Sequence, residues 1–295
     1  MANLFCFGLG YSASHYIAHY GARFLHVSGT VRSAEKAAAL AGSVKAAKIF
    51  VFDGSRATAE IEAELSAAQA LLVSVPPGEG GDPVLAHFAD RIAAAPNLRA
   101  IAYLSTIGVY GNHDGAWVDE TTPPKPVADR SHARLAAEQG WIALGSRAEK
   151  AVAILRLSGI YGPGQNVLQQ IARGTARRIV KPGQYFNRIH VFDIARAIDA
   201  TFARSANGVF NVTDNLPTAQ GVPTAYAAAL LQVPPPAEIS FDEAAKAMSP
   251  MALSFYGESK RVRNDRLIHE LGVTLRYPTF REGLSALFAS GEGRP

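Results

Sequence analysis

Leu4-Phe5-Cys6-Phe7-Gly8-Leu9-Gly10-Tyr11-Ser12-Ala13 is the stretch that decides the fold. It opens as an apolar run of strand length, breaks at two glycines, and continues into helix-compatible residues as far as Gly21. That order reads as strand, tight turn and helix. Gly8 gives the turn its backbone freedom, Gly10 leaves room for a pyrophosphate to approach the main chain, and the small Ala13 lets helix and strand pack closely. The helix then presents the unpaired N–H groups of its first turn, at Tyr11, Ser12 and Ala13, to the phosphates. A glycine turn of this kind also occurs where no ligand binds, so the surrounding sequence has to carry the argument.

Outward from that turn, apolar runs alternate with Ala-rich segments of helical length, the pattern of a parallel sheet covered on both faces. The runs predict strands at Leu4–Gly8, Phe24–Ser28, Lys48–Phe52, Leu71–Val75, Arg99–Ser105 and Ala151–Leu157. Between Arg130 and Gly145, the residues Ala133, Ala137, Trp141 and Leu144 recur at helical spacing and predict an amphipathic helix packed on the sheet. After Leu157, glycines and prolines cluster at 159–164, 182–183 and 234–236. We expect an α/β protein: a Rossmann-type doubly wound parallel sheet with a smaller C-terminal substrate-covering lobe. Residues 1–160 form the dinucleotide-binding domain, continued by about 187–212. Residues 161–186 and 213–295 form the lobe.

The end of the second strand bears on cofactor choice. Ser28-Gly29-Thr30-Val31-Arg32-Ser33 has no carboxylate where an NAD enzyme binds the adenosine ribose hydroxyls. Arg32 stands there instead, suited to clamp a 2′-phosphate, with Thr30 and Ser33 as hydroxyl donors. This favours NADP over NAD; a solvated arginine at a helix start would read the same way. Asp53 is placed to accept from the adenine amino group, or equally to turn the chain into Gly54 or cap the next helix. Ser74, Val75 and Pro76 close the fourth strand beside the adenine ribose and nicotinamide side, and two prolines stop continuation into helix.

Four ordered motifs give the chain its resemblance to the extended short-chain dehydrogenases/reductases, the group of nucleotide-sugar epimerases and dehydratases. They are the turn at Gly8, Leu104-Ser105-Thr106-Ile107-Gly108-Val109-Tyr110-Gly111, Arg156-Leu157-Ser158-Gly159-Ile160-Tyr161-Gly162-Pro163-Gly164, and Arg188-Ile189-His190-Val191-Phe192-Asp193-Ile194-Ala195. The resemblance implies that Thr106 hydrogen-bonds the substrate oxygen and that the segment at Tyr161 shapes the nicotinamide end of the pocket. It makes His190 and Asp193 structural hydrogen-bonding groups. The family's acid/base is a Tyr helped by a Lys four residues on, and aligning Leu135-Ala136-Ala137-Glu138-Gln139 with that helix puts Arg130 and Arg134 at those two places. An arginine stays protonated, so it can polarise an oxygen or bind an anion but not easily relay a proton. Tyr256-Gly257-Glu258-Ser259-Lys260 has the letters of the missing pair but falls late in the chain, where a lobe or helix-start segment is the plainer reading. Tyr110, His113 and Tyr185 are the other candidate proton donors.

Composition bounds the rest. The 295 residues are 48% hydrophobic and 18% charged, ordinary for a globular protein, and the net charge of +4 comes from scattered cations, so nucleic acid is not an expected partner. One cysteine, Cys6, allows neither an intrachain disulfide nor a cysteine metal cluster, and with no leader or membrane-spanning run the expected setting is cytoplasmic, without membrane association. Two functions compete: an NADP-dependent oxidoreductase or epimerase acting on a small carbonyl or sugar-like molecule, and a noncatalytic NADP(H)-sensing regulatory protein. A purely structural scaffold ranks last, and the oligomeric state stays open.

Overall fold

The computed structural model describes residues 2–42 and 48–294. Seven strands form one parallel sheet: Ala2–Phe7, Phe24–Val31, Lys48–Val51, Ala70–Val73, Ala100–Thr106, Ala151–Leu157 and Gly208–Val212. Numbered in chain order, they lie 3-2-1-4-5-6-7 across the sheet. The order reverses between the first and fourth strands. That reversal leaves a crevice at the strands' carboxyl ends, the place where doubly wound sheets bind ligands.

Alternation along the strands builds two cores. Leu4 and Cys6 point to one face with Leu72, Leu104 and Leu155, whereas Phe5 and Phe7 point to the other with Leu71, Val73, Ile101 and Tyr103. On the first face, Ala13, Tyr16 and Ile17 of the helix Tyr11–Tyr20 join Ile194 and Ile198 of the helix Val191–Arg204. On the second, Phe88 and Ile92 of the helix Pro83–Ala94 meet Ala137, Trp141 and Leu144 of the helix Asp129–Ala148. The buried Trp141 needs an acceptor for its indole N–H and finds Asp82 Oδ2 at 2.9 Å, while the other Asp82 oxygen caps Val84 and Leu85 N–H.

The six expected strands are present, Ala151–Leu157 with the expected ends and the other five with shifted ends. The second runs on to Val31 because its residues 28–31 pair in register with Lys48–Val51. The fourth stops at Val73, although Ser74 N–H still donates to Phe7 O. Gly208–Val212, which the sequence pattern does not single out as a strand, pairs with 153–157 and completes the sheet. In the long helix Ala133 stays only half-buried, so the packed stripe is narrower than expected.

Of the remaining chain, Leu267, Leu271, Val273 and Leu275 join the first core. Three short parallel pairs tie it down: Gly159–Tyr161 with Arg188–His190, Arg178–Val180 with Glu238–Ser240, and Trp117–Val118 with Arg261–Val262. Among the described residues no helix is long and apolar enough to cross a membrane.

Candidate active site

The glycine turn comes first because its geometry leaves few choices of residue. Gly8 has φ +88°, and a Cβ there would meet Val75 Cγ2 at 3.0 Å and Val75 N at 3.2 Å. Gly10 is the opposite case: a Cβ on it would meet nothing within 4 Å, so its open face borders the crevice. Gly10 caps the helix with no side-chain hydrogen bond, and Ser14 N–H is the first in the helix to find an intrahelical acceptor, Gly10 O. The N–H groups of Tyr11, Ser12 and Ala13 therefore carry no hydrogen bond among the described residues. This cradle fits a pyrophosphate.

Its supports differ in detail from the sequence reading. Thr30 is buried beneath the turn and its hydroxyl accepts Gly8 N–H at 3.0 Å, so it shapes the loop and does not stand open beside it. Ser33 caps the helix Ala34–Leu40 by accepting Lys36 N–H at 3.3 Å. Both hydroxyls assigned to a 2′-phosphate thus already accept from the main chain, as the buried or terminal N–H groups next to them require. Arg32, by contrast, is exposed, with no hydrogen bond or ion pair among the described residues. Asp53 accepts Ser55 N–H at 2.9 Å and its hydroxyl at 2.6 Å, forming a local turn that holds the exposed carboxyl below its usual range. Tyr11 leans away over the helix and donates to Pro163 O at 3.0 Å; burial, with Glu292 nearby, pushes its hydroxyl up to about 12.

Beyond the turn, a cavity of about 440 Å³ opens at the carboxyl ends of the fourth, fifth and sixth strands. It gathers Pro76, Thr106, Arg130 and Arg134. Thr106 ends the fifth strand and accepts Gly108 N–H at 3.1 Å, which caps the short helical turn Ile107–Tyr110 and leaves the hydroxyl hydrogen free to donate. Arg134 Nη1 donates to Leu104 O at 2.8 Å and Tyr103 Oη at 3.2 Å. Arg130 reaches the other way, with Nη2 donating to Ser254 Oγ at 2.7 Å and its guanidinium 4.6 Å from the Phe255 ring centroid. It therefore ties the long helix to the covering helix Pro250–Tyr256.

Of the three other proton donors named from sequence, only Tyr185 lines this cavity. Tyr110 is fully buried, its hydroxyl on Asn211 Oδ1 at 2.8 Å, and His113 Nε2 pairs with Tyr110 O. The late segment at Tyr256 divides. Tyr256 is buried between Phe186 and Phe241 outside the cavity, but Glu258 and Lys260 line it. Lys260 Nζ donates to Gly111 O at 2.8 Å and Glu258 Oε2 at 2.7 Å, and burial lowers its pKa. Sequence reading assigned these two to the lobe because the pairing of Trp117–Val118 with Arg261–Val262, which delivers them to the pocket, joins positions far apart in the chain.

The polar residues His190 and Asp193 are structural in their contacts. His190 caps the helix Val191–Arg204 by accepting Phe192 N–H at Nδ1, and burial lowers it to about 4. Asp193 accepts Arg276 N–H at 2.6 Å and Tyr277 N–H at 2.9 Å. Cys6 is buried, and among the described residues no group of three or more His, Cys, Asp and Glu is arranged to hold a metal.

The family model for the NAD dependent epimerase/dehydratase family matches residues 84–213. A solved structure of a functionally unknown conserved protein from Silicibacter pomeroyi is 44% identical, with a TM-score of 0.89 over 99% of this chain and 100% of its own. The fold is shared with dTDP-glucose 4,6-dehydratase from Bacillus anthracis, solved in complex with NAD: 14% identity, TM-score 0.77, 99% of this chain and 98% of that one. It is shared too with the human epimerase family protein SDR39U1, solved with NADPH: 15% identity, TM-score 0.71, 96% of this chain and 98% of that one. Among curated proteins no sequence matches. Residues 84–213 thus carry the match to the NAD dependent epimerase/dehydratase family, and the whole chain shares the fold of the solved dehydratase and epimerase-family structures.

Proposed function

We propose that the protein is an NADP(H)-dependent oxidoreductase or epimerase acting on a small carbonyl or sugar-like substrate in the cavity at Thr106. The observation that carries this reading is that one cavity at the carboxyl ends of the sheet strands gathers Pro76, Thr106, Arg130 and Arg134 from three separate chain segments. Gly8, Gly10 and the N–H groups of Tyr11, Ser12 and Ala13 would hold the pyrophosphate. Arg32, supported by Ser33 and by Thr30 beneath the turn, would take the 2′-phosphate. Asp53 would meet the adenine, and Ser74, Val75 and Pro76 the ribose and nicotinamide side. When bound, the cofactor supplies hydride transfer.

The chain's own groups then divide the remaining work. Thr106 donates its free hydroxyl hydrogen to the substrate oxygen and orients it. Arg130 and Arg134, at the places the resemblance gives to the family's Tyr and Lys, would stabilise negative charge on that oxygen while keeping their own protons, Arg130 by exchanging Ser254 for it. Proton transfer falls to another group, and Tyr185 is the tyrosine in the cavity able to make it.

NADPH oxidation against a panel of small aldehydes, ketones and nucleotide sugars tests this. Turnover is expected with at least one class, and Thr106→Val and Tyr185→Phe should each lower kcat by roughly 10²-fold or more while leaving NADPH affinity unchanged. No oxidation across the panel with NADPH bound would defeat it. The second reading, a noncatalytic NADP(H)-sensing regulatory protein, draws on one observation: the helix Asp129–Ala148 carries neither Tyr nor Lys. It expects NADP and NADPH to differ in affinity and a protein partner to follow that difference.

A further inference from the structure

We propose that a second cavity, bounded by the helices Tyr11–Tyr20 and Val191–Arg204 and the segment Arg276-Tyr277, binds the phosphate group of a small phosphomonoester between Arg196 and Arg276, with the ester's apolar or aromatic body against Phe192 and Tyr277. The inference is independent of the functional reading above. The cavity has a volume of about 440 Å³ and shares no lining residue with the one at Thr106. It includes none of the residues assigned to the cofactor either. The helix after the glycine turn contributes His15 and His19, beyond the N–H groups of its first turn.

The charges of the wall are of one sign. Arg196 and Arg276 are its permanently charged groups, and among the described residues no carboxylate lines it. Neither guanidinium makes a hydrogen bond or an ion pair among those residues. The carboxylate whose field reaches both is Asp193, which is fully buried and spends its two oxygens on the main-chain N–H groups of Arg276 and Tyr277. Two guanidiniums that face one cavity without acceptors repel each other, and an anion between them removes that repulsion. Their planar forks of N–H donors match a group that carries several oxygens, as a phosphate does. Three histidines also line the cavity, yet no group of three or more His, Cys, Asp and Glu among the described residues is arranged to hold a metal.

A buried donor points the same way. His190 lines the cavity and is 4% exposed. Its Nδ1 accepts Phe192 N–H at 3.1 Å, so the proton of the neutral ring sits on Nε2, and Nε2 is buried without a partner. A buried N–H in that state is costly until an acceptor enters. Tyr277 adds a hydroxyl with no hydrogen bond among the described residues. The rest of the wall suits a carbon skeleton. The rings of His19 and Phe192 meet edge-on with centroids 4.9 Å apart, those of Phe192 and Tyr277 stand 6.2 Å apart, and the buried Leu287 closes the side. A free phosphate leaves this apolar surface uncovered, whereas a ring attached to it does not.

The test is calorimetric titration of phenyl phosphate, phenol and inorganic phosphate into the full chain, as wild type, Arg196→Gln and Arg276→Gln. Phenyl phosphate should bind the wild type roughly ten-fold or more tightly than either fragment, because phenol lacks the charge-assisted hydrogen bonds and phosphate lacks the apolar contact. Each variant should weaken phenyl phosphate roughly ten-fold or more. Arg276 is exposed, so its replacement leaves the fold alone, which a circular-dichroism melt matching the wild type verifies. No binding of phenyl phosphate, equal affinity for either fragment, or an affinity unchanged in Arg276→Gln would overturn the proposal. Displacement of phenyl phosphate by NADPH would overturn it too, since that would put the phosphate in the glycine cradle.

Discussion

Replacing Glu138 by Ala should unlatch the two strands that carry the candidate site, and its cost follows from burial. Glu138 is 1% exposed and Arg156 4%, and they meet through Arg156 Nη2 to Glu138 Oε2 at 2.7 Å and Nε at 3.2 Å to both oxygens. Ser105 Oγ donates to the same carboxylate, and the guanidinium stands 4.8 Å from the Tyr110 ring centroid. Ser105 pairs with Arg156 and Thr106 with Leu157, so the network pins the fifth and sixth strands at the mouth of the cavity. Without the carboxylate, the guanidinium stays buried with no counter-ion, and its Nη1 already lacks a partner. Breaking such a pair from one side costs about 3–5 kcal/mol. For a chain of this size, that corresponds to a fall in melting temperature of roughly 6–10 °C, read by circular dichroism. Glu138→Leu combined with Arg156→Leu, which removes both charges and fills the volume, should be more stable than the single variant. A single variant that loses less than about 1 kcal/mol, or a double variant less stable than the single, would refute the reasoning.

The two glycines of the turn should separate stability from binding. Gly8→Ala forces a Cβ onto a backbone at φ +88° against Val75 and should cost about 1–2 kcal/mol in urea melts as well as weakening NADPH. Gly10→Ala meets open space, so its melt should stay within about 0.5 kcal/mol of wild type while NADPH affinity drops at least ten-fold, as read by calorimetry. Asp214 has its folded pKa raised to about 7, so the folded state holds a proton that the unfolded state releases near 4. Its stabilising contribution is full below about pH 4 and is lost as pH rises through about 7. Wild type should therefore lose stability relative to Asp214→Asn across that window, in melts at stepped pH; His190, lowered to about 4 and acting in the opposite sense, is common to both proteins and cancels.

The sheet was legible because its signals are local. Alternation in Leu4–Phe7, the two glycines and the periodic face of the helix at Trp141 each specify an element without reference to distant residues. Gly208–Val212 was harder: its neighbours Gly208, Val209 and Asn211 give it neither a long apolar run nor a clean alternation, and its place is fixed by pairing with the sixth strand. The site divides in the same way. Thr106, Arg130 and Arg134 share a cavity because the end of a strand and the first turns of the next helix adjoin in this fold. Glu258, Lys260 and Phe255 reach it through pairings and contacts across more than a hundred residues, which no periodicity encodes. Thr30 and Ser33 show a further limit: each hydroxyl also accepts a neighbouring main-chain N–H, a supporting role that the sequence pattern does not announce.

Calorimetric affinities of NADP, NADPH, NAD and NADH for the wild type and Arg32→Ala would show whether this chain selects NADP(H) through Arg32. NADP(H) should bind more tightly than NAD(H), and Arg32→Ala should lower NADP(H) affinity at least ten-fold with little change for NAD(H), because the guanidinium would meet only the 2′-phosphate. Binding of none of the four, or an NADP(H) affinity indifferent to Arg32, would contradict it.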